Sequence, residues 1–241
     1  MSSRLQSLSA AAAFVDRAGL ALTFPKERVA LPSLFEQVAG PGPIPWAEDR
    51  EGRLAFTPEM AKVWAWKDEL AASRLACAGK HVRGWPALVS LALLPALYAL
   101  TERSGAPDDF RQVVLRPLER EVAEAVLEHA PADSRDIRRA VGVRDAGRVN
   151  RAIDSLQRQL VLTRAGTIQR EAGWPGTSYD VLPRRYPLAA LPAPEQARAE
   201  LAAAVVRTAG DLSPVELSRA LGFSRAESAA ALGLRPKTAD G

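Results

Sequence analysis

Along most of this chain apolar residues recur three and four positions apart, the period of helices that each bury one face. Breaks in that pattern divide it into three regions, residues 1–107, 108–186 and 187–241. In the first, a helical pattern runs from Ser9 to Ala18 and stops at Gly19, and the run from Ala39 to Gly52 (AGPGPIPWAEDREG) reads as loop. Thr57 and Pro58 supply an N-cap and a proline at the first helical position, opening a helix through Trp64 and Trp66. The most apolar stretch, Trp85–Leu100, spans 16 residues and includes Pro86 and Pro95. It falls short of the ~20 residues of a membrane span and predicts a buried helix. The first region therefore reads as a helical domain.

The second region carries more information. Leu118, Val122, Ala125, Val126 and His129 fall at helical spacing, predicting a helix to about Ala130 that Pro131 stops. Ser134 is expected to cap a short helix, SRDIRRAVG, with Ile137, Ala140 and Val141 as its apolar positions. Gly142 follows where a helix-turn-helix needs a tight turn, and Asp145 caps a third helix reaching about Leu160. At 100° per residue Val149, Ala152, Ile153, Leu156 and Leu160 gather on one face of that helix. Arg144, Arg148, Arg151 and Arg158 lie on a stripe roughly 145° away, with Ser155 between the last two. Asn150, Asp154 and Gln157 flank the stripe. LVLTRAG, a turn-prone interval with Gly173, Pro175 and Gly176, and then TSYDVL predict two strands joined by a loop. Three helices followed by such a hairpin, from about Leu118 to Tyr186, are the order of a winged helix-turn-helix, whose third helix enters the major groove. Arg164, Arg170 and Tyr179 are placed for backbone phosphates.

The third region opens with a Pro/Ala linker (PLAALPAPEQ) and is helical in pattern, with a tail (RPKTADG) expected to fray. Ser213 with Glu216, and Ser224 with Glu227, match the capping box, so this region repeats the helix-turn-helix grammar of the second. It lacks a basic stripe and reads as packing support.

Charge sharpens the picture only locally. The chain carries +4 with a pI near 9.6, but five lysines among 32 basic residues and a single asparagine, Asn150, point to the codon bias of a GC-rich bacterial genome. Placement must therefore carry the argument. Between Ser134 and Arg170 nine arginines face three aspartates, a net of +6, which exceeds the chain's total. Double-stranded DNA is the partner such a face fits, through guanine edges or phosphates. A winged helix used only for protein contacts, its arginines solvated, is the competing reading. Lys67, Lys80 and Arg83, set among Trp64, Trp66 and Trp85, are candidate secondary nucleic-acid contacts, against a reading in which the tryptophans cover a small core.

Other chemistry is excluded more easily. Cys77 stands alone, and His81 and His129 lie far apart, so neither a disulfide nor a metal site is expected. No phosphate loop, nucleophile elbow or triad is present, and no cofactor is expected. The N-terminus is interrupted by Asp16 and Arg17 and reads as an amphipathic helix, so a soluble, cytoplasmic and nucleoid-associated protein is expected.

LPSLFEQV, then WAWKDELAASRLACAGKHVRGWPALVSLALLPALYAL, then SLQRQLVLTRAG and YDVLPRRYP line up in order with the AlkZ-related proteins. These are relatives of the AlkZ/YcaQ winged-helix DNA glycosylases, and the resemblance covers about Leu31 to Pro187. It implies stacked winged helices that cradle duplex DNA and, in the family's enzymes, excision of alkylated or cross-linked bases. Those enzymes carry a Gln-x-Gln or Gln-x-Asp motif that positions the hydrolytic water. Here Gln37 is followed by Val38 and Ala39, which departs from the motif. Gln157-Arg158-Gln159 matches its letters, but residues two apart on a helix point about 200° from one another. No catalytic residue carries over. The expected fold is mainly α, with tandem winged-helix or helix-turn-helix units and a small β-wing. The expected function is duplex DNA binding, with a divergent DNA glycosylase or a protein-interaction adaptor as alternatives.

Overall fold

The computed structural model describes residues 4–44, 47–48, 54–171, 175–188 and 190–234. Gly173 of the hairpin loop, part of the 39–52 loop and the C-terminal tail lie outside the described residues. No described helix is long and apolar enough to cross a membrane.

In chain order the first unit contains α1 (Leu8–Ala18), β1 (Leu20–Leu22), α2 (Leu34–Ala39), the short pair β2 (Ala47–Glu48) and β3 (Leu54–Ala55), α3 (Pro58–Ala72), β4 (Cys77–Val82) and β5 (Trp85–Val89). The caps follow from sequence. Gly19 takes φ +77 to end α1, and Thr57 accepts a hydrogen bond from the Met60 N–H at 3.3 Å to open α3. Strands β1, β5 and β4 form an antiparallel sheet in that order.

That sheet corrects the reading of this region as helical. Trp85–Leu100 is not one helix: Trp85–Val89 is the central strand β5, and only Leu94–Ala99 (α4) is helical. A continuous apolar run has no period to separate a buried strand from a buried helix, and both faces of β5 are covered. Pro86 stands in a central strand because the β4–β5 register shifts between Gly79 and Val82, so no ladder bond is demanded of its missing N–H.

After a 3-10 turn at Asp109–Gln112, the second unit contains α5 (Pro117–His129), β6 (Ala132–Asp133), α6 (Ser134–Ala140), α7 (Ala146–Arg158), β7 (Leu162–Ile168) and β8 (Gly176–Val181). Its sheet runs β6-β8-β7, again antiparallel. The cap of α6 is Asp133, not Ser134. Its carboxylate accepts the N–H groups of Arg135 and Asp136, both at 2.9 Å, while Ser134 is already helical. An aspartate one residue earlier competes for the same donors and, when ionised, holds them more strongly.

Apart from the short β2–β3 pair inserted in the first, the two units share one connectivity: helix, strand, helix, helix, then a hairpin whose second strand lies in the middle of the sheet. No sequence repeat announces this duplication. The halves embrace reciprocally, with α3 packing on β7, α7 on β4, and β4 against β7. Each keeps its own core, Leu34, Phe35, Val63 and Leu70 in one and Phe110, Val122, Ile153 and Leu156 in the other. Helices α8 (Leu182–Arg185), α9 (Pro194–Ala209), α10 (Pro214–Leu221) and α11 (Arg225–Ala231) complete the chain. A third core joins Leu20, Val89 and Tyr98 to Leu201, Val205 and Leu217, so the C-terminal helices pack on the first sheet and α4. Both expected capping boxes are present, at Ser213–Glu216 and Ser224–Glu227.

Candidate nucleic-acid interface

Helix α7 is set at both ends. Asp145 accepts from the N–H groups of Gly147 at 2.8 Å and Arg148 at 3.2 Å. At the other end the buried Arg103, paired with Asp109 at 3.2 Å, donates to the Gln159 carbonyl at 2.7 Å. Val149, Ala152, Ile153 and Leu156 are all buried, as the helical period requires; Leu160 is buried too, but it lies beyond the end of α7 at φ +57 and joins the core shared with the C-terminal helices. The opposite side is therefore fixed in direction. Arg144, Arg148, Asn150, Arg151 and Arg158 are exposed there, with Ser155 half-buried.

Two basic clefts flank this face. One, of about 390 Å³, is lined by Arg116, Glu119, Arg148, Arg151, Asp154, Ser155 and Arg158. The other, of about 440 Å³, is lined by Arg135, Arg138, Arg139, Gly142, Val143 and Arg144. Sequence reasoning passed over Arg116, Arg135, Arg138 and Arg139 as site residues. The signal was present for α6, because Arg135, Arg138 and Arg139 crowd one short helix directly before the Arg144–Arg158 stripe. Arg116 sits outside the helix-turn-helix in sequence and comes to α7 only through the α5–α7 packing.

Other candidate residues are engaged inside the protein. Asp154 receives Lys80 Nζ at 2.5 Å. Gln157 is buried, its side-chain oxygen accepting the Lys80 N–H at 3.3 Å, which removes it from the exposed flank of the stripe. Arg164 donates to Asp68 at 3.3 Å. Arg170 holds Asp133 and Asp136, each at 2.5 Å. Tyr179 is half-buried, and burial pushes its phenol above the ordinary range against the pull of Arg164. Lys67 is buried, 2.7 Å from Asp68 and 4.1 Å from the centre of the Trp64 ring. Burial, then the Arg164 cation, bring its ammonium down to about 8 despite Asp68. Arg83 is exposed, stands 5.5 Å from the Trp85 ring and donates to the carbonyls of Ser218 and Arg219, so it bridges to the end of α10. Trp66 is buried in the first core and Trp64 is half exposed.

The Gln-x-Gln letters at 157–159 do not converge. Gln157 is buried against β4, while Gln159 donates to Ser155 Oγ at 3.2 Å. Nor are the carboxylates of the arginine cleft free: Glu119 accepts the Arg116 N–H and Asp154 holds Lys80.

A family model described as AlkZ related matches residues 5–222. Comparison with curated proteins gave no match, and comparison with solved structures gave none either.

Proposed function

The chain belongs to the AlkZ-related family, and from that premise we propose that it is a duplex-DNA-binding protein built on tandem winged helices. In this reading the second unit is a winged helix-turn-helix: α6 and α7 are its helix pair, and the β7–β8 hairpin is its wing. Helix α7 lies in the major groove, with Arg144, Arg148, Arg151 and Arg158 toward base edges and phosphates and with Asn150 and Ser155 beside them. Arg135, Arg138, Arg139 and Arg116 hold the backbone on either side.

One observation carries the reading. The arginines of α7 are exposed and line clefts with four further arginines from α5's cap and α6, whereas Arg164 and Arg170 are neutralised by internal carboxylates. A face with its cations left open on one helix, and paired elsewhere, fits a polyanion.

The test is binding to a short fluorescent duplex across salt concentrations, for wild type and for Arg148→Ala with Arg151→Ala. Submicromolar binding that weakens steeply with salt and collapses in the double variant is expected, because phosphate contacts release counterions. Absence of salt-dependent binding would leave a protein-interaction adaptor. Release of base from alkylated duplex, assayed in parallel, is not expected, given the engaged carboxylates and the divergent glutamines.

A further inference from the structure

Val114 is fully exposed, at 100%, whereas the next most exposed large apolar residue among the described residues, Leu234, reaches 49%. With Val113 extended and Leu115 turned into the core, the alternation of the extended chain turns Val114 outward. It is held out. On one side Phe110 is wholly buried, its carbonyl accepts the Val113 N–H at 3.4 Å, and the Val113 carbonyl accepts Arg120 Nη2 at 3.0 Å. On the other side Leu115 enters the core of the second unit and the Arg116 N–H donates to Glu119 at 3.1 Å. Pro117 then fixes the first helical turn of α5. The loop is pinned at both feet, and Val114 is its bare tip.

Two residues further on, Arg116 lines the cleft it shares with Arg148 and Arg151. Two residues of chain span at most about 7 Å, so the tip lies within that reach of the Arg116 backbone. A surface that meets both must be anionic where it faces the arginines and apolar a few ångströms away. A duplex offers that combination, phosphates beside stacked bases.

We propose that Val114 is an apolar wedge that enters the base stack of a duplex held on the arginine face and partly unstacks one step beside the phosphate bound by Arg116. The proposal rests on the DNA-binding reading above. Apolar side chains inserted between base steps are how several DNA-bending proteins kink a duplex. Valine is short, so its insertion is shallow, and it enters most readily at flexible pyrimidine–purine steps or mismatches.

The experiment uses the full chain and a duplex carrying 2-aminopurine, with anisotropy for affinity on the same duplex. Wild type at saturation is expected to raise 2-aminopurine fluorescence at least twofold. Val114→Ser is expected to remove half or more of that rise while affinity falls less than threefold, and Val114→Leu to preserve the rise. The exposed position makes no buried contact, so thermal midpoints of both variants should equal that of wild type. An equal rise with Val114→Ser, or no rise for wild type bound at saturation, overturns the wedge and leaves DNA binding standing. Failure of wild type to bind duplex at all overturns both.

Discussion

Lys80 Nζ of strand β4 lies 2.5 Å from Asp154 Oδ2 of helix α7, and the same relationship recurs in mirror order where Arg164 of β7 meets Asp68 of α3 at 3.3 Å. Each unit offers a helix aspartate to a basic residue on the first hairpin strand of the other. The two clasps differ in burial. Lys80 and Asp154 remain about a third exposed, whereas Asp68 and Arg164 are nearly covered and share their site with Lys67. Lys80→Ala is therefore expected to lower unfolding stability by no more than about 1 kcal/mol. Asp68→Ala strands two cations in a covered site and should cost about 3–5 kcal/mol. Urea unfolding of the two variants checks the order, and equal costs would show that burial does not set it.

The embrace also requires close backbone approach. Gly166 has φ +122, and a Cβ there would stand 2.9 Å from the Ala72 Cβ at the end of α3. Gly166→Ala meets both a conformational and a steric penalty, together about 2–4 kcal/mol. Gly142 has φ +67 with nothing within 4 Å, so alanine there should cost only the conformational part, about 1 kcal/mol. Thermal midpoints of the two variants, compared side by side, separate contact from conformation.

These inter-unit relations explain which parts of the chain were legible from sequence. Asp145 as a cap, the buried face through Val149 and Leu156, and the exposed stripe through Arg148 and Arg151 all depend on residues within one helical turn or two, where period and capping chemistry suffice. The strand at Trp85–Val89 was not legible, because its burial comes from β1 and the C-terminal helices, both distant in sequence, and the bulge in the neighbouring β4 breaks the local hairpin pattern. Gln157 was misplaced for the same reason: its helical angle puts it beside the stripe, but β4 covers that side of α7. The duplication of the fold leaves no trace in residue identity, since a shared connectivity needs only a shared pattern of apolar faces.

His81 gives the junction a pH dependence. His81 is 5% exposed, its Nδ1 donates to the Gln157 carbonyl at 2.9 Å, its Nε2 lies 3.3 Å from Thr163 Oγ1, and Arg164 is the cation that acts on it. Burial lowers its pKa from 6.5 to about 4, against the hydrogen bonds to backbone that would raise it. As pH falls, the unfolded imidazole takes up a proton near 6.5 while the folded one resists until about 4, so the unfolded state binds more protons across that window. Stability contributed by neutral His81 is complete above 6.5 and lost on descending to 4, a change of at most about 3 kcal/mol. Urea midpoints for wild type are expected to drop between pH 7 and 4.5, with a shallower slope for His81→Gln. Parallel slopes would assign the acid sensitivity to other groups.

Arg170 and Arg148 belong to one basic segment but are expected to answer a mutation in opposite ways. Arg170 spans from the end of β7 to Asp133 and Asp136, two residues at the start of α6, and Asp133 also caps that helix. Burial alone would raise the Asp133 carboxyl, and it lies below the ordinary range because Arg170 and the N–H groups of Asp136 and Arg135 outweigh that effect. Removing the guanidinium leaves a 5%-exposed carboxylate side chain without its cation, a loss of about 2–3 kcal/mol. Arg148 is exposed, and its side chain lines the cleft beside Arg116 and Arg151. Its loss should leave stability within about 0.5 kcal/mol. On the DNA-binding reading, Arg148→Ala instead reduces the slope of log affinity against log salt by about 1, the contribution of one phosphate. Arg170→Ala should then melt at lower temperature yet keep the wild-type salt slope at temperatures where it remains folded. A reduced slope for Arg170→Ala with an unchanged melting point would mean that Arg170 leaves its carboxylates to reach the duplex, and that the β7–β8 hairpin docks through it.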